Sequence, residues 1–106
     1  MKLRNKFYLM RHGEAENNVR GIISTSHHHY LLTKRGRDHS NKAGHILRRA
    51  NLTKIYASPV LRTYETAKIV SSHVGISVLV EKRLSEIKFG PMFDGKTNHE
   101  YHAYFN

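Results

Sequence analysis

The sequence predicts an α/β protein built on a parallel sheet, and three observations carry that prediction. Short apolar runs at residues 6–10, 53–57 and 77–80 read as strands, the last of them rich in β-branched side chains. Two helical patterns lie between these runs. An order of strand, helix, strand, helix, strand calls for right-handed crossovers, which lay the strands parallel.

The first strand, residues 6–10, contains the run Phe7, Tyr8, Leu9, Met10 and ends where Arg11, His12, Gly13 and Glu14 begin. In the first helix Ala43, Ile46, Leu47 and Ala50 fall at i, i+3, i+4 and i+7, which places them on one predicted apolar face. Thr33 or Asp38 supplies its N-terminal cap. The second strand, residues 53–57, leads into Ser58 and Pro59, with Pro59 expected in the first turn of the second helix. That helix continues through Leu61, Tyr64 and Ala67, and Gly75 is suited to end it in the left-handed conformation. Beyond the third strand, residues 89–106 show turn residues without periodicity.

Composition bounds the class of protein. At 106 residues the chain is one domain at most. It contains no cysteine, which excludes disulfides and thiolate metal sites. The basic N-terminus precedes only a four-residue apolar run. A signal peptide needs roughly 7–15 apolar residues and a membrane span about 20, so a cytoplasmic location without membrane attachment is expected. Lysine and arginine outnumber aspartate and glutamate by 18 to 8, giving a formal charge of +10 that points to an anionic partner. Nucleic acid is the less favoured partner, since no reader motif or aromatic interleaving accompanies the basic residues.

Parallel sheets bind ligands at the carboxyl ends of their strands. Arg11 and His12 follow the first strand, Ser58 to Arg62 follow the second, and Glu86 lies a few residues past the third. A histidine beside a permanently charged arginine suits attack on a phosphoryl group whose oxygens the arginine holds. His27, His28 and His29 read as a solvated or substrate-loop cluster, because adjacent histidines cannot converge on one ion from a regular element. His73, near the end of the second helix, is assigned no catalytic role.

Four segments in order resemble the histidine phosphatase superfamily, the phosphoglycerate-mutase-like proteins. They are Arg11-His12-Gly13-Glu14 with Asn18; Leu32-Thr33 with Gly36; Ser58-Pro59 through Arg62 with Glu65-Thr66-Ala67; and Leu84-Ser85-Glu86 with Phe89-Gly90 and Asp94-Gly95. In the last segment the two glycines are one residue further apart than the family usually has, with Pro91, Met92 and Phe93 between them. The resemblance implies a three-layer α/β/α fold, phosphoglycerate-mutase-like and apparently truncated, with residues 1–106 forming the N-terminal part of a single domain. It implies His12 as the nucleophile that becomes phosphohistidine and Glu86 as the acid and base. Arg11, Arg62 and Asn18 would bind the phosphate, with no metal and no cofactor.

The implied reaction is hydrolysis of a small phosphorylated metabolite. The alternatives are a phosphoglycerate mutase, or a non-catalytic remnant that binds phosphate or a partner. The family's second catalytic histidine has no counterpart in these 106 residues. Self-association through exposed sheet edges is a further expectation.

Overall fold

The computed structural model describes residues 6–21 and 30–85. Helix α1 spans Glu16–Val19, α2 Lys34–Leu47 and α3 Leu61–Val74, while strands β1 and β2 span Ile55–Ala57 and Val78–Val80. A single 3-10 turn follows at Lys82–Leu84. The two strands pair in parallel, Ile55 opposite Val78, Tyr56 opposite Leu79 and Ala57 opposite Val80, with α3 as the crossover. Helix α3 packs against both strands and against α2. No helix among the described residues is long and apolar enough to cross a membrane.

Local chemistry sets the helix boundaries. Thr33, rather than Asp38, caps α2: its hydroxyl oxygen accepts from Gly36 N at 3.0 Å. The same hydroxyl donates to Glu14 Oε1 at 2.9 Å, tying the start of α2 to the segment that follows His12. Helix α3 ends at Gly75, whose φ of 75° is the left-handed conformation expected there. Pro59 sits just ahead of α3 rather than in its first turn, because Val60 is the N-cap. A proline there still fits, since it lies outside the helix and removes none of its hydrogen bonds.

The face that α2 buries overlaps the predicted one but is shifted around the helix, with Ala43 and Leu47 half-buried at its side. Gly36, Ser40 and Gly44 are its buried residues, at i, i+4 and i+8, whereas Ile46 is 72% exposed. The reason is steric. A Cβ on Gly36 would stand 2.0 Å from the Glu14 carbonyl oxygen, and one on Gly44 would stand 2.6 Å from the His73 ring. The Glu14 backbone at Gly36 and the His73 side chain at Gly44 come so close that this stripe of α2 holds small residues. His73 closes this junction by donating from Nε2 to Asn41 Oδ1 at 2.9 Å, since the amide oxygen can only accept.

Around this helix pair sits a small core of Ala15, Leu32, Ala57, Val60, Ala67 and Val70. Ala15 and Leu32 form an antiparallel bridge, flanked by bonds from Glu16 N to the Leu31 carbonyl and from Thr33 N to the Glu14 carbonyl. Glu65 of α3 accepts from Leu32 N at 2.8 Å and so holds the bridge against the helix.

Residues 6–10 do not form the expected strand. They pair with no ladder among the described residues, and Phe7 and Leu9 are almost fully exposed. An apolar run expresses a tendency to be buried, but a strand also needs a neighbour to share its backbone hydrogen bonds.

Candidate active site

The loop after residue 10 and the first turn of α3 meet. Arg62 is 2% exposed, and its Nε–H donates to His12 Nε2 at 3.3 Å. On the other side of the ring His12 Nδ1 lies 2.7 Å from the Gly13 carbonyl oxygen. A carbonyl can only accept, so the hydrogen-bond network assigns the imidazole proton to Nδ1. Nε2 then keeps its lone pair, which is what the Arg62 donor requires. Two independent contacts thus demand the same neutral tautomer, with the nucleophilic nitrogen turned toward a guanidinium.

The surroundings favour an anion at that point. Arg62 occupies the first turn of α3, where helix N–H groups and their partial positive charge add to the guanidinium. Buried Ser58 and Val60 lead from β1 into this turn, so the site lies at the carboxyl end of the sheet. The loop bearing His12 is pinned from both sides. Gly13 N donates to Thr66 Oγ1 at 3.0 Å, and a Cβ on Gly13 would stand 2.6 Å from the Gly36 carbonyl oxygen.

The residues singled out in the sequence divide into three groups. His12 and Arg62 are brought together across 50 positions of sequence. Arg11 and Asn18 lie on the flanks. Arg11 is exposed beside His12, and Asn18 uses Oδ1 to accept from Ala15 N at 3.0 Å in α1, leaving its Nδ2 as the donor end. Glu86, together with His27 to His29 and residues 89–106, lies outside the described residues. Sequence reasoning gave no individual task to Glu14, Glu65 or Thr66. Their roles as anchors of the loop depend on partners 19, 33 and 53 positions away, which no local pattern displays.

Comparison with known proteins decides what this arrangement belongs to. The family model of the histidine phosphatase superfamily, branch 1, matches residues 7–106. The chain is a histidine phosphatase superfamily member.

Its superfamily relatives span two activities. A 2,3-bisphosphoglycerate-dependent phosphoglycerate mutase of Thermoplasma acidophilum is 33% identical over 90 residues, covering 85% of this chain and 45% of the mutase. A putative phosphoserine phosphatase of Hydrogenobacter thermophilus is 32% identical, covering 86% and 44%. Among solved structures, Bacillus stearothermophilus YhfR superposes with a TM-score of 0.78 at 34% identity, covering 88% of this chain and 45% of its own. A mycobacterial glucosyl-3-phosphoglycerate phosphatase complexed with VO3 gives 0.78 at 27% identity, covering 88% and 44%. The phosphoglycerate-mutase-like α/β fold expected from the sequence is therefore the fold of this superfamily member. The chain spans less than half the length of the curated relatives it matches.

Proposed function

We propose that this superfamily member carries the nucleophile and phosphate clamp of a phosphoester hydrolase acting on a small phosphorylated metabolite. The observation that carries the reading is the pairing of His12 Nε2 with the buried Arg62 guanidinium. A phosphoryl group entering between them draws the Arg62 donors onto its oxygens and frees Nε2 to attack phosphorus. The P–N bond forms as the ester P–O bond breaks, and Glu86 gives the leaving oxygen its proton. Water then attacks the phosphohistidine, returning a proton to Glu86 and releasing phosphate. Arg11 and Asn18 hold the remaining phosphate oxygens in this scheme.

The test is a labelling experiment with an aryl phosphate. The wild-type chain should release phosphate and trap an acid-labile phosphohistidine, and both should vanish in His12→Ala. Absence of turnover and of label in the wild type would end the enzyme reading in favour of a phosphate-binding remnant.

The relation to a 2,3-bisphosphoglycerate-dependent mutase favours one second reading, in which the phosphoryl group passes to a phosphoglycerate rather than to water. Exchange of label between bisphosphoglycerate and monophosphoglycerate, without release of free phosphate, distinguishes the two.

A further inference from the structure

Thr66 lies one turn beyond Arg62 on α3 and is 4% exposed. Its hydroxyl has a single proton, which it donates to the Arg62 carbonyl at 2.8 Å. With the proton committed there, the oxygen is left to accept, and Gly13 N donates to it at 3.0 Å. That amide belongs to the peptide joining His12 to Gly13, so holding it restrains the backbone from which the imidazole projects. The Gly13 carbonyl in turn takes the Nδ1 proton of His12.

A threonine within a helix often bonds its own i−4 carbonyl with no wider consequence. Here the second bond reaches 53 residues away, into the loop that bears the nucleophile. Arg62 touches the ring of His12 and Thr66 touches its backbone, both from the same rigid helix. A displacement of α3 therefore carries both contacts with it, and the ring keeps its place relative to the guanidinium.

We infer that Thr66 is a positioning residue for His12. Its hydroxyl holds the His12–Gly13 peptide in the orientation that keeps the Nε2 lone pair against Arg62. The catalytic consequence rests on the reading of His12 as nucleophile, whereas the positioning itself exists before any substrate arrives.

The experiment compares Thr66→Val, close in shape but without the hydroxyl, with Thr66→Ser, which keeps it. Nitrogen-15 spectra of ring-labelled histidine, with the His12 signals identified by their loss in His12→Gln, report the tautomer directly. Wild type and Thr66→Ser should show His12 protonated on Nδ1 alone, and Thr66→Val a mixture of both tautomers. In turnover of an aryl phosphate, well below each variant's thermal midpoint, Thr66→Val should lose about 10- to 100-fold in kcat at nearly constant KM, as expected for a misplaced reacting group. Thr66→Ser should stay close to wild type in both constants.

An unchanged tautomer, or an unchanged kcat, in folded Thr66→Val overturns the inference. So does a Thr66→Ser variant as impaired as the valine one, since the methyl group would then be what matters. Should valine prevent folding, Thr66→Ala removes the same hydroxyl and is read in the same way. If the wild type neither turns over nor labels while the tautomer still shifts in Thr66→Val, the phosphotransfer reading fails and the positioning role stands.

Discussion

The junction of α2 with α3 and the apolar run at residues 7–10 make opposite use of their side chains. The junction has few large apolar groups. Gly36, Ser40 and Gly44 face inward, Asn41 and His73 tie α2 to α3, and Thr33, Glu65 and Thr66 tie the same helices to Glu14, Leu32 and Gly13. The run has four large apolar side chains in a row, and Leu9 and Phe7 are almost wholly in solvent. Among the described residues, then, a run of large apolar side chains is not by itself a sign of close packing. Small residues on α2 admit the His73 side chain of α3 at Gly44 and the Glu14 backbone at Gly36, so α2 seats both α3 and the loop bearing His12.

Three substitutions test this contrast. The largest effect is expected at Gly36. Its Cβ would meet the Glu14 carbonyl oxygen at 2.0 Å, and backbone cannot swing aside as a side chain can. Gly36→Ala should cost about 3 kcal/mol of stability, the upper part of the usual range for overpacking. Denaturant unfolding measures it, and a cost under about 1 kcal/mol would mean that the loop after His12 can move away from α2.

A smaller loss is expected from Thr33→Ala, which removes the cap of α2 and the bond to Glu14. The expected cost is about 1 kcal/mol, visible as a lower midpoint in the same titration. An unchanged midpoint would show that the capping bond contributes nothing net.

The smallest effect belongs to the exposed run. Leu9→Gln should move stability by no more than about 0.5 kcal/mol, because a side chain already in solvent loses nothing on becoming polar. Sedimentation of the same variant would show whether Leu9 contributes to pairing between copies of the chain. A destabilisation of about 2 kcal/mol or more would place Leu9 in a packed environment and erase the contrast.

Much of this protein was legible in the chain. The parallel pairing of β1 with β2, the crossover through α3 and the Gly75 terminus all follow from local signals: β-branched runs, helical periodicity and a glycine at a helix end, while such signals narrow the α2 cap only to Thr33 or Asp38. The inward face of α2 followed only in part, since Ala43 and Leu47 are half-buried while Ile46 is exposed. Periodicity ranks positions by hydrophobicity, and this helix buries its smallest residues. The strand expected at residues 6–10 failed for a related reason, since its apolar pattern carries no information about a pairing partner.

At the site, the order of residues sets the chemical types: a histidine beside one arginine, a second arginine at a helix start, and the superfamily motifs around them. Those are properties of adjacent residues, and adjacency is what a sequence records. Only the tertiary structure decided that Arg62 meets the Nε2 side of His12 while the Gly13 carbonyl holds Nδ1, and that Thr66 grips the peptide between them. A tautomer is set by donors and acceptors converging from distant parts of the chain, so it comes into being only when α3 packs against the loop after residue 10.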